Sequence, residues 1–155
     1  MVDAHTDAVL FETHLLDRYR QHRTRRIVLP LRSDEDVVGL RKQVRERAVA
    51  LALSLVDQTK LVTAASELGR NTIKYGGGGE VHLDALDDGL RKGIGLLFLD
   101  AGQGIPDIDS ALRDGFTTGG GLGLGLGGSK RLVDEFDIDS RPKEGTAVLI
   151  VKWKR

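Results

Sequence analysis

Ile94-Gly95-Leu96-Leu97-Phe98-Leu99-Asp100-Ala101-Gly102-Gln103-Gly104 is the stretch on which the fold turns. Ile94 to Leu99 is a continuous apolar run of strand length, as expected of a central buried strand. Asp100 closes it with a carboxylate, and a Gly-x-Gly turn follows. A carboxylate at the C-terminal tip of a central strand can accept a hydrogen bond from a ligand amino group. The glycines let a ligand ring approach the backbone. The plainer alternative is a tight turn carrying a solvated aspartate, but ligands of α/β architectures favour strand ends.

Upstream, Arg26 to Leu31 reads as a first strand, with Pro30 marking an edge position. Ser33 and Asp36 open a helix whose apolar residues, Val37, Leu40, Val44, Ala48, Leu51 and Leu55, recur at steps of three and four. Asp57 is placed to cap a second helix, running to about Tyr75, with a buried stripe of Leu61, Ala64, Ala65, Leu68, Thr72 and Tyr75. Gly76 to Gly79 ends it. Glu80 to Leu86 alternates as a strand, and Asp87-Asp88-Gly89 turns the chain. Downstream, a short helix is expected between Pro106 and Arg113 and another from Ser129 to Phe136. Asp137 to Ser140 and Thr146 to Trp153 close the chain as a hairpin. The sum is an α+β two-layer sandwich: a mixed, mostly antiparallel sheet with helices on one face.

Residues 1–24 form a separate extension ahead of a domain spanning 25–155. Val9, Phe11, Leu15, Leu16 and Tyr19 predict an amphipathic helix from about Asp7 to Arg20. It serves either as a cap on the core or as a docking helix for a partner or second subunit.

Composition removes several classes of function. Without cysteine, thiolate catalysis, disulfides and Cys-ligated metals are excluded. His5, His14, His22 and His82 have no metal-binding spacing on one helix face. Lys plus Arg equals Asp plus Glu at 23 each, so no net field draws in nucleic acid or acidic lipid. No apolar run has membrane-spanning length, and a cytoplasmic location is the default.

Glu67 and Asn71 lie four apart and share a helix face, which alone would read as a solvated polar face. Thr117-Thr118-Gly119-Gly120-Gly121-Leu122-Gly123-Leu124-Gly125-Leu126 leads into a helix. Glycine N–H groups and a helix N-terminus together make an anion cradle, and the alternating leucines are poor linker residues. Gly128-Ser129-Lys130 has the wrong order for a Walker A loop. Phe116-Thr117-Thr118 is too poor a strand to open a dinucleotide fingerprint.

In combination, Glu67-Leu68-Gly69-Arg70-Asn71, Asp100-x-Gly102-x-Gly104, Gly119 to Leu126 and Gly145-Thr146 resemble the motifs of the GHKL ATPase/kinase superfamily, in its order. Asp114-Gly115-Phe116-x-Thr118, Arg131-Leu132-x-Asp134-Glu135-Phe136 and Lys152-Trp153-Lys154-Arg155 resemble its serine-protein kinase branch from bacterial stress-response partner switching. The resemblance covers about residues 26–155 and implies a Bergerat-type ATP fold. It implies that Asn71 holds Mg²⁺, that Glu67 is the general base or orients the attacking hydroxyl, and that Asp100 accepts from the adenine amino group. Gly102, Gly104 and Ile105 would admit the base, and Thr146 would help Asp100 hold a water there. Thr118, Gly119, Gly120, Gly121, Leu122, Gly123, Leu124 and Gly125 would wrap the triphosphate. The implied cofactors are ATP and Mg²⁺. The implied partners are a STAS-domain antagonist as substrate and a PP2C-type phosphatase, with a homodimer left open. A non-catalytic, ATP-gated anti-sigma or switch protein is the second expectation.

Overall fold

The computed structural model describes residues 14–105, 107–113 and 125–155. In chain order the elements are α1 (His14–His22), β1 (Arg23–Leu31), α2 (Asp34–Ala50), α3 (Leu55–Lys74), β2 (Gly79–Asp87), β3 (Lys92–Asp100), α4 (Ile108–Ala111), α5 (Gly125–Arg131), β4 (Glu135–Arg141) and β5 (Gly145–Trp153). The five strands form one sheet in the order β1-β2-β3-β5-β4, and its four pairings are antiparallel.

Strand β3 alternates between two cores. Ile94, Leu96 and Phe98 join the helical core with Leu40, Val44, Leu61, Leu68, Val148 and Ile150. Leu97 and Leu99 face the other way, into a cluster of Leu16, Tyr19, Leu86, Ala147, Leu149, Val151 and Trp153. The run is therefore apolar throughout because both sheet faces are covered. Each fully buried leucine in these clusters contributes about 1.5–3 kcal/mol.

The second cluster is capped by α1, whose Leu16 and Tyr19 are buried. The helices α2 and α3 lie on the expected face; α1 adds a cover on the opposite one. Gly95 provides its seat, since a Cβ there would lie 2.2 Å from the Tyr19 ring. The Tyr19 hydroxyl donates to the Asp84 carboxylate, which is also gripped by Arg26 at 2.8 and 2.9 Å. Burial, and then the Asp84 charge, raises the Tyr19 phenol well above its usual range, so it stays a donor. The predicted start of this helix at Asp7 lies outside the described residues, and β1 begins at Arg23, earlier than Arg26.

Other boundaries differ for local reasons. Ala52 takes φ +62 and reverses the chain, so α2 ends at Ala50 and its stripe does not reach Leu55. Leu53 is buried there instead, while Leu55 is 71% exposed. Ser54, not Asp57, caps α3: its side chain accepts from the Asp57 N–H at 3.1 Å. Tyr75 lies past the last turn and is exposed rather than part of the stripe.

The helix expected from Ser129 runs from Gly125 to Arg131, and Phe136 belongs to β4, opposite Ile150. Sheet bonding ends that helix early. The Asp134 N–H donates to Val151 O at 2.9 Å, and the Asp134 carboxylate accepts from the Trp153 N–H at 2.7 Å. The terminal Lys-Trp-Lys-Arg likewise serves the sheet. Buried Lys152 lies 3.4 Å from Asp57 and 3.6 Å from Asp134, and the Trp153 indole donates to Glu135 at 2.6 Å.

Candidate nucleotide site

Asp100 is the last residue of β3, paired with Gly79 on β2 and Thr146 on β5. Its Oδ1 accepts from the Gly102 N–H at 2.9 Å and the Thr146 N–H at 3.3 Å. Burial raises the Asp100 carboxyl above the usual carboxylate range, and the two N–H bonds pull it partway back. The group is half-buried, so it is fixed on one side and open on the other.

The turn after α3 packs against the same carboxylate, at Cγ and Oδ2. A Cβ on Gly76 would lie 2.3 Å from Asp100 Cγ, and one on Gly102 would lie 2.7 Å from Gly76 Cα. The Gly76 N–H donates to Asn71 O at 3.3 Å, and the Gly78 N–H to Thr72 O at 3.0 Å. The end of α3, where Asn71 sits, is thereby joined to the strand tip where Asp100 sits. Glu67 is one turn earlier, its Oε1 3.1 Å from the Arg70 guanidinium. Two of the motif pieces read separately in the sequence, the helix end and the strand tip, are brought together by one glycine turn.

Across the site, Thr146 Oγ1 and Ser140 Oγ are 2.7 Å apart, and the Ile105 N–H donates to Ser140 Oγ at 2.6 Å. Gly104 takes φ +81. Gly125 opens α5 with φ +70, while Leu126, Gly127, Gly128 and Ser129 are buried. A Cβ on Gly127 would lie 2.1 Å from Leu112 O, so this part of the glycine run serves close packing of α5. Thr118, Gly119, Gly120, Gly121, Leu122, Gly123 and Leu124 lie outside the described residues.

Two participants were missed. The sequence marks Gly76 only as the end of a helix and Ser140 only as the end of a strand. Ser140 faces Thr146 because Arg141 pairs with Gly145 and the hairpin turns through Pro142-Lys143-Glu144; a turn centred one residue later, at Lys143-Glu144-Gly145, would have paired Ser140 with Val148.

Among the described residues no group of three or more His, Asp or Glu side chains could hold a metal.

Residues 56–155 match the family described as histidine kinase-, DNA gyrase B- and HSP90-like ATPase. The chain belongs to that family. It is 44% identical over 120 residues to serine/threonine-protein kinase RsbT of Bacillus subtilis (strain 168), across 77% of this chain and 90% of the relative. It is 33% identical over 102 residues to anti-sigma F factor of Bacillus licheniformis, across 61% of this chain and 68% of the relative. Among solved structures it resembles the RsbU and RsbW domains of Rv1364c from Mycobacterium tuberculosis, with TM-score 0.58 and 19% identity. That match covers 85% of this chain and 33% of the other, longer chain, and supports the fold alone.

Proposed function

We propose that this chain is an ATP-dependent serine/threonine-protein kinase of a partner-switching pathway. The observation that carries the reading is the half-buried Asp100 carboxylate, held at the tip of β3 by two N–H bonds and joined through Gly76 to the helix end bearing Asn71. A fixed acceptor suits the amino group of adenine, and an acidic residue one helical turn before Asn71 suits a proton acceptor.

Asp100 binds and orients the base. Gly102 and Gly104 let the turn beside the base pack against Gly76 and Arg141, where a Cβ would lie 2.7 Å from Gly76 Cα and 2.4 Å from Arg141 O. Asn71 would hold Mg²⁺, which when bound neutralises phosphate charge. Glu67 accepts the proton of the attacking serine or threonine hydroxyl, and Arg70 holds that carboxylate in place. Gly119 to Gly125 supply backbone N–H groups to the phosphates.

The substrate in this reading is a STAS-domain antagonist, and release from it leaves the kinase free to activate a PP2C-type phosphatase. The similarity to serine/threonine-protein kinase RsbT supports a protein hydroxyl as the phosphoryl acceptor. A cytoplasmic location fits such partners, and among the described residues no helix is long and apolar enough to cross a membrane. A second reading is an ATP-gated anti-sigma factor or switch protein that binds partners without phosphorylating them; the similarity to an anti-sigma F factor supports the partner binding alone.

Incubation with γ-labelled ATP, Mg²⁺ and a co-encoded STAS protein separates the two. Label on a partner serine or threonine supports the kinase. Nucleotide-dependent complex formation without label supports the switch, and no nucleotide binding at all defeats both.

A further inference from the structure

We propose that Ser140 is a positioning residue for the nucleotide base, locking the Gly102–Ile105 turn and the Thr146 hydroxyl into one arrangement beside Asp100. The inference rests on the nucleotide reading of that site.

The turn from Asp100 to Ile105 has little structure of its own and is held from outside by the β4–β5 hairpin. The Lys143 N–H donates to Gln103 O at 2.8 Å. Gly104 is pressed so close that a Cβ would lie 2.4 Å from Arg141 O. The Thr146 N–H donates to Asp100 at 3.3 Å, and the Ile105 N–H donates to Ser140 Oγ at 2.6 Å. Only the last of these bonds depends on a hairpin side chain. The others use hairpin backbone and survive most substitutions.

The hydroxyl also pairs with that of Thr146. A serine hydroxyl has one hydrogen and two lone pairs. One lone pair of Ser140 receives the Ile105 N–H. The hydrogen has two acceptors in reach, Thr146 Oγ1 at 2.7 Å and Gly145 O at 3.3 Å. Donation over the shorter distance leaves the Thr146 hydroxyl its own hydrogen to give. In that arrangement Thr146 is a donor beside the acceptor Asp100; in the reverse one Thr146 donates to Ser140, which donates to Gly145 O. Serine is otherwise a weak choice in a strand, where β-branched residues pack better. Its hydroxyl is the property that this position uses.

The test compares the wild-type chain with Ser140→Ala, Ser140→Cys and Ser140→Thr, by calorimetric titration with ATP and by steady-state transfer. The expected result is a Kd and KM about tenfold higher for the Ala and Cys variants, the size of one lost hydrogen bond. The turnover number at saturating ATP stays within about twofold, because one misplaced base contact reports on binding and not on transfer. The Thr variant, which keeps the hydroxyl, recovers wild-type affinity. Cys fills the position with a larger, weakly accepting sulfur, so a loss shared by Ala and Cys does not come from a cavity alone. Unchanged affinity in Ala and Cys overturns the proposal, as does a fall in turnover with KM unaltered. A Thr variant as weak as Ala also overturns it, showing that shape and not the hydroxyl matters. If wild type binds no adenine nucleotide, the nucleotide reading itself has failed, an outcome distinct from a wild type that binds and variants that match it.

Discussion

Gly76 lies against the Asp100 carboxylate, with room for a hydrogen and nothing larger: a Cβ would sit 2.3 Å from Cγ and 2.5 Å from Oδ2. A helix end and a strand tip, 24 positions apart in sequence, meet at that contact. Gly76→Ala is therefore expected to push the carboxylate aside at an overpacking cost of about 1–3 kcal/mol. ATP binding should weaken tenfold or more while far-ultraviolet circular dichroism stays unchanged. Calorimetric titration checks it, and wild-type affinity in the alanine variant would show that the carboxylate does not touch the base.

Asp100→Asn should separate stability from binding. Burial raises the Asp100 carboxyl, so the folded state pays to keep it ionised. A folded pKa above the unfolded one gives stability that is full below the unfolded value and lost as pH rises through the folded value. Asparagine keeps an oxygen for the Gly102 and Thr146 N–H groups and has no charge to bury. The ligand-free variant should unfold at a higher temperature than wild type at pH 7, with the gap closing toward pH 3. ATP should bind it about 10–100-fold more weakly, the cost of losing a charged acceptor. In wild type, ATP affinity should fall on acidification at a pH above the usual carboxylate range. A variant less stable at pH 7 would contradict the sign.

Much of this was visible in the chain itself, for identifiable reasons. The β3 run, its closing Asp100 and the Gly-x-Gly turn are local patterns, and local patterns survive folding. The boundary at Ala52 was not legible, because nothing in the composition of Leu51-Ala52-Leu53 announces a positive φ at alanine. Nor was the seat of α1. The Tyr19–Asp84 bond joins residues 65 apart, and amphipathicity states that a helix face will be buried without saying where. Phe136 was assigned to a helix because the bond from the Trp153 N–H to Asp134, which ends that helix, is a tertiary event. The glycine run was read as one loop, yet Gly127 and Gly128 are buried in α5. Periodicity cannot distinguish glycines that admit a ligand from glycines that admit a neighbouring backbone.

Glu67→Gln should leave ATP binding within about twofold and slow phosphoryl transfer about 10²–10⁴-fold, the usual contribution of a positioned base. The amide keeps the size of the side chain and an acceptor for Arg70, so a structural role would survive the change. Single-turnover transfer beside equilibrium nucleotide titration provides the comparison. Equal losses in both would assign Glu67 to architecture.

Asn71→Ala should act on the metal dependence. Transfer should fall below detection at millimolar Mg²⁺, and the gain in ATP affinity on adding Mg²⁺ should vanish, because Asn71 is the residue proposed to supply an oxygen ligand. Metal-free ATP binding should persist, since Asp100 and Gly102 are untouched. Titrations with and without Mg²⁺ test the assignment. A Mg²⁺ enhancement as large as in wild type would remove Asn71 from the metal.

Lys152→Met tests how the far end of the sheet is held. Lys152 is 4% exposed and placed between Asp57 and Asp134, so methionine removes the cation and leaves two carboxylates facing an apolar chain. Breaking a buried pair in this way costs about 3–5 kcal/mol. Burial alone would raise the Asp134 carboxyl, but the Trp153 N–H, Arg155 and Lys152 outweigh it and hold the group below its usual range. A depressed folded pKa gives stability that is present above the unfolded value and lost as pH falls through the folded one. The penalty should therefore be full at pH 7 and shrink below about pH 4, where the unfolded carboxylate takes up its proton. Urea unfolding at pH 7 and pH 3 measures both ends. A penalty equal at the two pH values would mean that Lys152 acts through the packing of its stem and not through its charge.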